Sequence, residues 1–270
     1  MKNRTNYNLI LLILLFGTVI SCVNNEGSDD LDILDPTEEN TSSEEDGDII
    51  EAEGSGDEQT NTTGCSKENS VYNEADGIVS IEFESAQFGD NWELKSEGNN
   101  YTGEGYMVWT GDQFLGNPGS GLATFKINIT TPGTYRFEWR SSVTIGDLGT
   151  EHNDTWLRFA DADDYYGEKD ESRVYPSGTG KTPNPNGSSK DGWFKIYRSG
   201  NDLDFKWSTS TSDNDAHKIY VTFNSAKTYT MEISARSSGH AIDKFVLFKD
   251  PWTLNEATSD NNTMSSITCD

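Results

Sequence analysis

Apolar residues recur at every second position in segment after segment of this chain, and that period leaves little choice of fold. Side chains on a β-strand alternate between its two faces, so a strand with one buried face shows this spacing. Val79, Ile81 and Phe83 alternate with Ser80, Glu82 and Glu84, and Ala123, Phe125, Ile127 and Ile129 with Thr124, Lys126 and Asn128. Thr131-Pro132-Gly133-Thr134 then turns the chain into Tyr135, Phe137 and Trp139, which reads as a hairpin. The pattern returns at 155–159, 193–198, 203–207, 219–223, 229–235 and 242–248, and no window carries a sustained helical stripe. Eight to ten short strands between Gly, Asn, Asp and Ser predict an all-β domain, a single antiparallel β-sandwich over residues 65–252 with a tail at 253–270. The stretch 176–191 is long for a hairpin loop, and loops of that length inside a compact domain usually bind something or move.

The first 64 residues read differently. Lys2 and Arg4 precede a 12-residue apolar run, residues 9–20, too short to span a bilayer but built like a secretory signal. Its end, Val19-Ile20-Ser21-Cys22, resembles a bacterial lipobox, which implies cleavage after residue 21 and a lipidated Cys22 as mature N-terminus. The implied location is the bacterial cell envelope, lipid-anchored at the outer membrane and surface-exposed. Residues 23–64 hold fifteen Asp and Glu with no Lys or Arg, too polar to bury a core, and are expected to form a disordered tether reaching roughly 40 Å.

Of the net charge of −26, residues 65–270 carry −13, from 18 basic and 31 acidic side chains. That balance argues against DNA, RNA and anionic headgroups as partners, whose affinity rests on clustered Lys and Arg. With Cys22 assigned to lipid, Cys65 and Cys269 remain, either bridged across the first and last strands or as two unrelated thiols.

The run Ile81-Glu82-Phe83-Glu84, then Trp92, then 101–109 (YTGEGYMVW), with 239–247 (GHAIDKFVL) in the last strand, resembles the galactose-binding-like β-sandwiches of carbohydrate-binding module families 6 and 35. The resemblance covers about a quarter of the domain, at its two ends. It implies a jelly-roll sandwich with a structural calcium held by Glu82, Glu84 and Asp243. Hard oxygen donors suit that ion. Without the resemblance, Glu82 and Glu84 are simply the wet side of a strand.

Ligand residues do not carry over from the resemblance, so they are read from this chain alone. Leu157 and Phe159 claim the buried side of their strand, which puts Trp156 and Arg158 on the other, beside His152 and Asp154. An exposed Trp next to fixed polar groups is what a sugar site needs, since aromatic faces meet C–H patches while polar groups bond hydroxyls. Trp193, after Lys190-Asp191-Gly192, and Trp207 extend the candidate set; each is otherwise an ordinary core tryptophan. Catalytic motifs are missing: Gly178-Thr179-Gly180-Lys181-Thr182 lacks the first glycine of a phosphate loop, and Pro183 blocks the helix it needs. The reading is a surface lipoprotein that captures polysaccharide or oligosaccharide without cutting it. The alternatives are a β-sandwich glycoside hydrolase or polysaccharide lyase, and a protein-binding adhesion or scaffold module.

Overall fold

The computed structural model describes residues 64–270, and these fold as a β-sandwich of two sheets. The signal, Cys22 and most of the acidic tether lie outside the described residues. The first sheet runs β10 (Ser189–Lys190), β11 (Trp193–Tyr197), β7 (Asp154–Arg158), β14 (Lys227–Ser234), β5 (Ala123–Ile129), β1 (Ser70–Asn73), β16 (Ile267–Cys269). The second runs β3 (Trp92–Lys95), β4 (Tyr106–Trp109), β15 (His240–Phe248), β6 (Gly133–Val143), β13 (Lys218–Phe223), β8 (Asp164–Lys169), β9 (Ser172–Val174). Two further strands attach to it, β2 (Ile78–Glu82) on β15 and β12 (Lys206–Trp207) on β6. All pairings are antiparallel except β1 with β5.

The alternating residues form the core as their spacing requires. Val79, Ile81, Phe125, Ile127, Phe137, Trp139, Leu157, Val221, Met231 and Phe245 are buried in one continuous cluster between the sheets. Phe83, Phe125 and Phe245 meet at its centre, the last two edge to face with centroids 5.1 Å apart, a favoured aromatic geometry.

The expected hairpin at Thr131–Thr134 is corrected by the structure. β5 pairs with β1 and β14, whereas β6 pairs with β12, β13 and β15, so the turn carries the chain from one sheet to the other. Buried Glu74 holds this corner, accepting from the backbone N–H of Gly77 (2.6 Å), Thr130 (2.9 Å) and Thr131 (2.8 Å) and from both threonine hydroxyls. Burial pushes its carboxyl up, but five donors outweigh that and hold it below the usual range.

The segment beyond Trp252 belongs to the fold instead of trailing from it. A short helix, α1 (Leu254–Ala257), opens with a capping box between Thr253 and Glu256. Ala257 packs on Val246 and Phe248, and the chain then crosses to the first sheet, where β16 pairs with β1. A disulfide joins Cys65 to Cys269 there, with Cα atoms 5.5 Å apart.

Candidate functional site

Three acids far apart in sequence converge beneath one loop. Glu82 ends β2, Glu84 sits in the 3₁₀ turn Phe83–Ser85 that follows, and Asp243 lies at the irregularity in β15 between Ile242 and Lys244. Glu84 is therefore off the strand, so its approach to Glu82 comes from the turn and not from strand parity. Over them passes the chain at 102–104. Thr102 donates its N–H to Asp243 Oδ1 (2.8 Å) and its hydroxyl to Glu82 Oε2 (2.9 Å), and Glu104 N–H donates to Glu84 Oε1 (2.9 Å). Gly103, at φ +66°, roofs the cluster: a Cβ there would stand 2.2 Å from Glu84 Oε1 and 3.2 Å from Glu82 Cδ. Glycine is thus required by both conformation and space.

This packing leaves carboxylate oxygens short of partners. Glu84 Oε2 and Asp243 Oδ2 are buried and accept no hydrogen bond, although the Arg140 guanidinium stands 3.3 Å from Asp243 Oδ2. Burial, with the neighbouring acids adding to it, pushes the Glu84 carboxyl up to about 8 and Asp243 up to about 6, and Glu82 is raised as well. Among the described residues no group of three or more His, Cys, Asp and Glu side chains is placed to hold a metal ion as it stands. The donor set nevertheless fits a hard divalent cation: two orphaned buried oxygens and three mutually repelling carboxylates are what an oxygen-ligated ion would satisfy.

The residues expected to bind ligand do not form one surface. Trp156 faces away from the main core as its parity requires, yet it is only 2% exposed, which corrects the expectation of an open ring. The segment 110–122 folds back over it; its Nε1 donates to Phe114 O (2.9 Å) and Arg236 stands 5.1 Å from the ring centroid. Asp154 is buried too, paired with the guanidinium of Arg236 and the hydroxyl of Ser237. His152, half-buried at φ +53°, places Nδ1 2.8 Å from Ser238 O. Trp193 is likewise buried rather than open, its ring covered 4.4 Å away by Arg158, which also bonds Glu232 (2.6 Å). Trp207 is half-buried but lies on the second sheet, 5.8 Å from Lys244 Nζ.

Arg158 and the long 176–191 loop do meet. They border a groove of about 400 Å³, walled by Arg158, Thr179, Lys181, Asp191 and the 159–165 turn. Lys181 bonds Asp164 (2.7 Å), while Asp163 accepts from Asn224 N–H (2.7 Å), which holds its carboxyl below the usual range. The groove offers fixed polar groups of both signs, a lining suited to hydroxyl-rich ligands. A second groove of about 300 Å³, which no local motif marks, lies on the outer face of the second sheet between Tyr220 and Trp252.

No protein-family model matches this chain, and no curated protein is similar to it. Solved structures similar to it include a GH26-CBM35 β-(1,4)-mannanase of Podospora anserina (18% identity, TM-score 0.40) and an isomalto-dextranase of Arthrobacter globiformis complexed with panose (15% identity, TM-score 0.36). The matches cover 67% and 63% of this chain but only 29% and 23% of those, so it spans less than a third of either.

Proposed function

We propose that residues 65–270 form a calcium-stabilised module that captures polysaccharide or oligosaccharide without cutting it, held at the bacterial surface by lipid on Cys22. The observation that carries this reading is the meeting of Glu82, Glu84 and Asp243 under Gly103. These are the three positions at which the family resemblance implies calcium ligands, and more than 150 residues separate the first two from the third. The ion would tie β2 and β15 to the 102–104 loop and supply no chemistry to a ligand. The groove beside the 176–191 loop is the glycan-binding surface of this reading. Of its three acids, Asp163 and Asp164 are committed to hydrogen bonds that hold loops together, which leaves Asp191 without a second uncommitted carboxylate in the groove and favours capture over hydrolysis.

A glycan array probed with the full chain, followed by reducing-end assay of each hit, tests this. Retention with no new chain ends is the expected result; new reducing ends or unsaturated products would make the protein an enzyme, and silence across the array would favour a protein-binding scaffold. For the anchor, Cys22→Ser is expected to release the chain from the membrane fraction or leave it unprocessed, because one residue carries every acyl chain. Unchanged partitioning and mass in that variant would overturn the lipid assignment.

A further inference from the structure

At the β9 edge of the second sheet a buried imidazole is held against an exposed hydroxyl. His217, just ahead of β13, is 0% exposed, and its Nε2 lies 3.1 Å from the Oγ of Ser172, the first residue of β9. Backbone pairing fixes the ring's position, because His217 and Thr211 exchange N–H to carbonyl bonds of 3.0 Å in both directions. Gly167 on β8 makes room for it: a Cβ there would stand 3.0 Å from His217 Cβ and 2.9 Å from Thr211 Cγ2. The other ring nitrogen, Nδ1, lies 2.6 Å from Asp215 O. A carbonyl oxygen can only accept, so in the neutral ring Nδ1 carries the proton and the Nε2 lone pair takes the Ser172 O–H. That is the tautomer a general base requires.

Two charges complete the arrangement. Lys169 is the direct cross-strand partner of Ser172 and donates to Asp215 Oδ1 (2.7 Å), while Asp215 Oδ2 stands 3.9 Å from His217 Nδ1. The carboxylate favours a protonated His217, and the ammonium beside Ser172 favours negative charge on an oxygen bound there. Lys169, Asp215 and Ser172 all face solvent, so a reactant can reach the hydroxyl while its base stays dry. A similar contact elsewhere, Thr155 Oγ1 to His240 Nδ1 (2.8 Å), is sealed inside the core and offers no such access.

We propose that Ser172 and His217 form an acyl-transfer site that hydrolyses small carboxylic esters. Ser172 Oγ attacks the ester carbonyl carbon as its proton passes to His217 Nε2; the carbon–oxygen bond to the alcohol then breaks, and the alcohol leaves with that proton. Water, deprotonated by the same Nε2, attacks the acyl-serine, releases the carboxylic acid and restores the hydroxyl. Asp215 acts as a positioning residue through its carbonyl, and Lys169 supplies positive charge to the oxyanion. The reaction breaks ester bonds and no glycosidic bond, so it stands independently of the glycan-binding reading.

The full chain treated with a fluorophosphonate, from which an activated serine displaces fluoride, tests this by intact mass and peptide mapping, alongside hydrolysis of p-nitrophenyl acetate. The wild type should carry one adduct on Ser172 and release p-nitrophenol above the uncatalysed rate. Ser172→Ala should abolish the adduct and lower the hydrolysis rate about a hundredfold or more, with an unchanged melting temperature because the position is exposed. His217→Gln, if it melts as a folded protein, should lose the adduct although Ser172 is present. A wild type that is not labelled at Ser172, or hydrolysis that Ser172→Ala leaves intact, would overturn the proposal whatever the fate of the buried-site variant. Labelling of folded His217→Gln at the wild-type rate would show that the imidazole does not activate the serine and would overturn it as well.

Discussion

Trp156→Ala is expected to cost about 3 to 5 kcal/mol of folding stability, the range for truncating a large buried aromatic side chain. The ring is 2% exposed, Phe114 O accepts its N–H and Arg236 covers it. Alanine would leave that carbonyl without its donor and open a cavity under the 110–122 segment, so lost packing and an unpaired buried polar group add together. Arg236 is tied to Asp154 in the same layer, and loosening it exposes a buried ion pair. Urea unfolding read as a midpoint shift at constant slope measures the loss, and glycan affinity of the folded fraction should be unchanged. A shift below about 0.5 kcal/mol, the scale of an ordinary surface substitution, would show that the ring contributes no packing and would restore it as a contact residue.

The case of Trp156 shows where strand periodicity stops. Alternation with Leu157 and Phe159 fixes which side of the sheet the ring is on, but not what lies over it. Its cover comes from a segment some 40 residues earlier, anchored by contacts such as Phe114 N–H to Arg236 O (2.8 Å) that no local pattern encodes. The Thr131–Thr134 turn fails for a related reason. A hairpin and a sheet-to-sheet corner use the same turn residues, and Glu74, 56 residues from Thr130, makes this one a corner. By contrast, the buried faces of β2, β5, β6 and β13 follow directly from spacing, because burial of one strand face is a local property. The acid trio was legible only through family resemblance. Two glutamates two residues apart look like any wet strand edge until the chain closes and Asp243 arrives beside them. The pairing of Tyr166 with Tyr220 was not legible at all, since strand register alone makes neighbours of residues 54 positions apart.

That trio should make stability depend on pH and calcium together. Glu84 and Asp243 are raised to about 8 and about 6 by burial and Glu82 is raised too, against about 4 in the unfolded chain. Between those limits the folded state binds more protons than the unfolded state, so stability falls as pH rises. Without calcium, the stabilisation from the protonated acids is fully present below about pH 4 and is lost as pH climbs to about 8. The loss is on the order of a few kcal/mol, moderated by Arg140 and Lys244, which favour the charged forms of Asp243 and Glu82, and opposed by Asp260, which disfavours that of Glu82. A bound divalent cation reverses this, because it favours the carboxylate forms and binds only the folded state. Melting temperatures at pH 5 and pH 8, each with calcium and with a chelator, are therefore expected to diverge at pH 8 and to lie close together at pH 5. Glu84→Gln keeps the side chain's shape but removes its charge, and should flatten the chelated pH profile while weakening the calcium response. Identical melts with calcium and chelator at pH 8 would rule out the ion, whereas a chelated melt that rises from pH 5 to pH 8 would show that burial does not govern these acids.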